Sequence, residues 1–201
     1  MGQLDSPLSP RGEIQAAAIA DRLSAIRFQQ LYSSDLGRAV QTAKRIGQRC
    51  GIEAVLEPGL RERHMGVFQG ITREEKKARY PEIWKQCKSV GANYVIPGGG
   101  ESINQRLERS LEALNRIADA HPDETVVVVS HDGILRGFLS QILGLDSAAE
   151  ARFVRANASD QAFLKQEGNW RLQVWGDTSH LQGLGIGTLH DPELREQKLG
   201  S

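Results

Sequence analysis

TVVVVSHDGILRGFLSQIL, residues 125–143, decides how this chain is read. Thr125 to Ser130 is a continuous β-branched run, which predicts a strand buried on both faces, as in a parallel sheet. Ile134, Leu135, Phe138, Leu139, Ile142 and Leu143 then give a wide apolar helical face. Between the two lies His131-Asp132-Gly133. A strand, a short polar junction and a helix form the repeating unit of an α/β protein, whose ligands sit at the carboxyl ends of the strands.

The same unit recurs upstream. QLYSS, Gln30 to Ser34, reads as a short buried strand. Asp35 is placed to cap the helix that follows, lined by Leu36, Val40, Ala43, Gly47 and Cys50. Before that strand, Ser9 and Pro10 open a helix that runs to about Ala25, with Ile14, Ala18, Ile19, Leu23 and Ile26 marking one apolar face. Glu53 to Leu56 is a weaker strand. Pro58 to Gly70 reads as loop, followed by two short helices around Thr72–Tyr80 and Pro81–Val90, divided because the residue before a proline avoids helix. A glycine-rich loop, Val95 to Gly100, precedes a helix carrying Ile103, Leu107, Leu111, Leu114 and Ala118. QAFLKQ and WRLQVW around Glu167-Gly168-Asn169 read as an antiparallel hairpin. After Gly176 the tail, which holds His180, Gly187 and His190, reads as loop. The expected fold is α/β, a three-layer sandwich with helices on both faces of a mostly parallel sheet, in one domain over residues 1–201.

The totals exclude several classes. With 25 basic and 25 acidic residues the net charge is zero, which argues against non-specific nucleic-acid binding. No run of eighteen apolar residues predicts a membrane span, and the first residues lack a signal-peptide pattern. Cys50 and Cys87 have neither metal-ligand spacing nor a disulfide framework, so a cytoplasmic protein with reduced thiols is expected. No His/Asp/Glu pair has metal spacing on one element. Neither GGGES nor GLGIG has the strand-and-helix context of a dinucleotide loop.

Three strand ends bring chemistry to one edge. Arg38 follows the first strand, Glu62 the second and His131 the third. A guanidinium and an imidazole near helix N-termini suit a phosphoryl group, and a carboxyl beside them can protonate a leaving alkoxide. Gly133 would let the backbone come close to a ligand. Taken singly, each residue has a plainer reading: a solvated charge for Arg38 and Glu62, and a hydrogen-bonded core histidine for His131.

The wording of these stretches adds to their placement. YSSDLGRAVQTA, LRERHMGVFQG, PGGGES and VVVVSHDGILR, with GQLDSPLSPRG and GDTSHL, resemble the histidine phosphatase superfamily in its phosphoglycerate mutase-like branch, from Gly2 to about Leu181. The resemblance implies phosphoryl transfer through a phosphohistidine, with no metal or other cofactor and a small phosphomonoester as partner. It implies that Arg38 binds the phosphoryl group, that Glu62 donates and accepts the proton, and that His131 stabilises the transition state, with Asp132 and Gly133 near the ligand. Gly2 and Gln3 would lie beside the phosphate pocket, and Arg63, His64 and Met65 on the substrate side.

One departure is large. The family's nucleophile stands in an Arg-His-Gly motif on a first, central strand, and these 201 residues contain no Arg-His-Gly. The expectation is therefore a chain that begins just downstream of that motif, lacks the first central strand and is prone to self-association, since exposed strand edges invite pairing. The remaining histidines are poor substitutes: His64 is next to the acid rather than opposite the leaving group, as in-line displacement requires, His121 precedes Pro122 in a loop before the strand, and His180 and His190 lie in the tail. The modest segment between Gly70 and Gly100, with Trp84, Lys85 and Lys88 as candidate substrate contacts, favours a phosphatase over a mutase. The alternatives are a phosphoglycerate mutase and a phosphate-binding module without turnover. An exposed sheet edge is also compatible with a homodimer.

Overall fold

The computed structural model describes residues 2–153 and 156–185; Gly187 and His190 lie outside the described residues. The chain opens into α1 (Pro10–Ser24), with the Ser9 hydroxyl accepting from the Gly12 amide at 3.1 Å and Pro10 preset for the first turn. β1 (Gln30–Ser33) leads into α2 (Gly37–Cys50), and β2 (Ala54–Leu56) follows. Two short helices, α3 (Arg73–Arg79) and α4 (Pro81–Val90), stand between the loop that carries Glu62 and the glycine-rich loop. α5 (Ile103–Ala120) starts at a reciprocal cap between Ser102 and Gln105. β3 (Val126–Val129), α6 (Asp132–Ile142) and the hairpin β4 (Asp160–Gln166) and β5 (Asn169–Asp177) complete the fold. The hairpin turn needs positive φ at both central residues, and Glu167 and Gly168 supply it at 50° and 76°.

β2, β1 and β3 form a parallel sheet in that order, with Leu31 opposite both Ala54 and Val127. Alternation along the strands sends Leu31, Val127 and Val129 to one face, against Ile19 and Leu23 of α1 and Ala43 and Ile46 of α2. Tyr32, Val126 and Val128 point to the other face, against Ala113, Leu114 and Ile117 of α5 and Phe138 of α6. The expected α/β architecture, helices on both faces of a parallel sheet, is thus present. No helix among the described residues is long and apolar enough to cross a membrane. Cys50 and Cys87 are free thiols.

Two expectations need correction. All four valines of β3 are partly exposed rather than buried on both faces. Among the described residues β3 has a strand neighbour on one side only. The Ser34 amide donates to the Val129 carbonyl at 2.9 Å on the β1 side, so alternation turns the backbone groups of Val126 and Val128 the other way. There they face a cavity of about 1970 Å³ whose far wall includes β4. Apolar composition reports what a strand can bury, but not which edge is covered. The second correction concerns Asp35. It does not cap α2, whose N-cap is Leu36 without a side-chain cap bond. Its carboxylate instead takes a two-point bond from Arg61, at 2.7 and 2.5 Å.

Candidate active site

The site is built where β1, β3 and the loop after β2 end together. Leu60 is fully buried and anchors that loop, and the Ser130 hydroxyl donates to the Leu60 carbonyl at 2.9 Å. Arg61 is tied to Asp35, so the next residue, Glu62, is delivered to the edge of the sheet. Its carboxylate oxygens accept from two backbone amides, Arg63 at 2.8 Å and Gly133 at 2.9 Å. Gly133 is required for this approach, because a Cβ there would stand 2.9 Å from Glu62 Oε2 and closer still to Oε1. The Glu62 carboxylate therefore comes close to the Gly133 backbone.

His131 is buried at the N-cap of α6, with Nε2 2.8 Å from the Ser34 hydroxyl. Arg38, second in α2, donates to the Gly2 carbonyl at 2.9 Å and the Leu4 carbonyl at 3.1 Å. Burial lowers its pKa, while the Glu62 and Asp5 carboxylates oppose that shift. Gly2, Arg38, Glu62, His131 and Asp132 all line the large cavity that continues along β3. Gln3 reaches in from the side, its amide group donating to the Glu62 carbonyl at 2.8 Å.

The other expected substrate contacts are placed differently from one another. The Arg63 guanidinium donates to the Glu101 carbonyl at 2.8 Å and the Tyr94 carbonyl at 3.4 Å, and so braces the glycine-rich loop. His64 is turned into its own loop, accepting from the Gly66 amide at 3.1 Å and lying 3.3 Å from the Gln69 amide. Met65 packs beside Gly2 and, with Arg63, lines a smaller cavity of about 280 Å³ that also reaches Glu62, Asp132 and Gly133. Glu101 holds this loop from below: burial would raise its pKa, but Arg109 at 2.8 and 2.9 Å and the His64 amide at 2.9 Å outweigh it and lower it.

Trp84, Lys85 and Lys88 line neither cavity. Trp84 packs edge-on to Phe68, with Arg73, Lys77 and Lys88 stacked around its ring. The lysine that reaches the smaller cavity is Lys76, which the sequence did not single out. Its ammonium sits 5.6 Å above the Phe68 ring and has no carboxylate within ion-pair distance among the described residues. Burial and then Arg63 lower its pKa. The sequence reading also missed Ser34, which meets His131, and Arg106 with Glu150, described below. The described residues contain no group of three or more His, Cys, Asp or Glu able to hold a metal ion.

The Asp35–Arg61 bond that aims the Glu62 loop gives a pH test. The hydrogen bond from Arg61 lowers the Asp35 pKa below its ordinary 3.8. A lowered carboxylate stabilises the fold at pH above the unfolded value, and that contribution is lost as pH falls through the folded value. Arg61 is partly solvated, so solvent screening limits the effect to about 1 kcal/mol. Urea unfolding should therefore show Asp35→Asn less stable than the parent by about that amount at pH 7, with the gap closing as pH falls from the ordinary carboxylate value of 3.8 through the lowered folded value. A gap that is the same at both pH values would contradict this.

The parallel sheet with a basic and carboxyl-bearing edge is that of a known class. Residues 1–178 match the histidine phosphatase superfamily, branch 1, and the chain belongs to it. Its relatives include phosphoglycerate mutase-like protein 4 of Arabidopsis thaliana, 40% identical over 190 residues, covering 92% of this chain and 80% of that protein. The metal-independent phosphoserine phosphatase of the same plant is 40% identical over 187 residues, covering 92% and 77%. Among solved structures, the mycobacterial glucosyl-3-phosphoglycerate phosphatase with inorganic phosphate superimposes with a TM-score of 0.74 at 31% identity, covering 90% of this chain and 92% of that one.

Proposed function

We propose that the chain is a phosphomonoester hydrolase of small phosphorylated metabolites; a phosphohistidine would form on a histidine opposite the leaving group, a place that Arg38, Glu62 and His131 leave open and that no Arg-His-Gly motif in these 201 residues fills. The observation that carries this reading is the convergence of Arg38, Glu62 and His131 on one cavity. Arg38 and His131 supply donors for the phosphoryl oxygens. Glu62 is held by two amides and lines the cavity, where a protonated carboxyl gives its proton to the leaving alkoxide. Lys76 and Arg63 add positive charge beside that cavity, which suits a leaving group that is itself anionic. The phosphatase relatives support hydrolysis over phosphoryl return to the substrate. The reaction is placed in the cytoplasm, in a single domain, with no metal or other cofactor.

A second reading is phosphate binding without turnover. It is favoured by the lack of an Arg-His-Gly sequence and by the engagement of His131 with Ser34 and of His64 with Gly66 and Gln69. Phosphate release from an aryl phosphate, measured from pH 5 to 8 on the parent and on Glu62→Gln, separates the two. Turnover by these residues predicts saturable release that falls at least roughly 100-fold in the variant, the usual scale of a general acid, and would require a nucleophile other than an Arg-His-Gly histidine. Saturable phosphate binding with no release by the parent would overturn it in favour of the second reading.

A further inference from the structure

Arg106 lies in the first turn of α5 and is almost wholly buried, its side chain 4% exposed. It faces Glu150, whose side chain is 11% exposed, through a fork of bonds at 2.6 and 3.1 Å. Its Nη1 also donates to the Gly133 carbonyl at 2.7 Å. Two glycines a helical turn apart make room for it: a Cβ at Gly137 would stand 2.6 Å from Arg106 Nη2, and one at Gly133 would stand 3.0 Å from Nη1. Arg136 ties the same turn to the same segment, bonding the Glu150 carbonyl at 3.2 Å and Asp132 at 2.9 Å.

A buried arginine–glutamate pair is a weak source of stability, because desolvation offsets most of the attraction, and an apolar pair of similar volume would do as well. Among the described residues the buried Nε of Arg106 has no hydrogen-bond partner. What this pair supplies and an apolar pair could not is a directed bond to Gly133, the residue whose amide holds Glu62 Oε2. We infer that Arg106, clamped by Glu150, is a positioning residue for Glu62: it pins Gly133 from its carbonyl side so that the Gly133 N–H fixes the carboxylate towards the cavity. The inference rests on Glu62 being the proton donor, but its test reads geometry and needs no turnover.

The test follows the Gly133 and Arg63 amides of the nitrogen-15-labelled chain by NMR from pH 3 to 8. In the parent both amide shifts track protonation of Glu62, and Glu62→Gln abolishes that dependence. In the double variant Arg106→Met, Glu150→Met the amides of α5 and β1 keep their dispersion. The Gly133 amide, by contrast, loses the titration and exchanges with solvent about tenfold faster. A Gly133 amide that still tracks Glu62 at the parental exchange rate would overturn the inference and leave the pair a packing element. If the double variant does not fold, Glu150→Gln is read by the same signals: faster Gly133 exchange supports the clamp, and an unchanged rate overturns it. Failure of Glu62→Gln to reduce phosphate release would sink the proposed hydrolase while leaving this outcome readable.

Discussion

Arg38→Ala is expected to weaken binding of inorganic phosphate by at least roughly 100-fold at pH 7, because two charge-assisted hydrogen bonds are lost and each is worth about 1.5–3 kcal/mol. The guanidinium now bonds the Gly2 and Leu4 carbonyls, which preset its plane at the mouth of the cavity. Those carbonyls are neutral acceptors, and a phosphate dianion competes with them as the stronger partner. Arg38→Lys should recover little, since an ammonium cannot reproduce the planar fork. The effect on folding should be small, because the side chain is only half-buried and packs on a loop. Calorimetric titration of parent and variants with phosphate measures this directly. Equal affinities would move the phosphate away from the end of α2 and remove the main support for the proposed chemistry.

That site was legible to the extent that it depends on strand ends. The β-branched run before His131 and the short QLYS strand fix where β3 and β1 stop, and a parallel sheet brings those ends to one edge. Arg38, Glu62 and His131 therefore reach one cavity whatever the details of packing. The rest was illegible for physical reasons. Arg106 and Glu150 are 44 residues apart, and nothing local in either stretch announces a buried pair. In isolation Arg106 occupies an ordinary position in an amphipathic helix. Its burial follows from Gly133 and Gly137 on a different helix. Lys76 was missed because α3 buries no residue, so periodicity offers no sign of which side faces the cavity. Trp84 was singled out for the converse reason: a large aromatic ring suggests a contact, but its neighbours are Phe68 and the cations of its own helix pair. Nor can valine content tell that one edge of β3 is open, because edge and central strands bury the same side-chain types.

Phe138→Ala carries the largest expected cost to the fold, about 4 kcal/mol, and tests whether the hairpin belongs to the same cooperative unit as the sheet. Phe138 is 2% exposed. Its ring meets Phe163 of β4 at 4.9 Å and Trp170 of β5 at 5.0 Å, both edge-to-face. The Trp170 indole is itself fixed to Asn115 of α5 at 2.9 Å. Truncating a buried phenylalanine costs about 3–5 kcal/mol, and lost ring pairs push this towards the upper end. For a chain of this length that corresponds to a fall in Tm of roughly 10 °C. Because the large cavity separates β4 from β3, the hairpin is joined to the rest through α6, through Asn115 of α5 and through Arg22 of α1, which pairs with Asp160 and Asp177, rather than through backbone pairing with the sheet. Tryptophan fluorescence and far-UV circular dichroism should nonetheless lose signal at one midpoint in the parent and at one lower midpoint in the variant, as a single domain requires. If fluorescence falls first in the variant, the hairpin detaches on its own, and the single-domain reading gives way to a sheet domain with a separately docked ribbon.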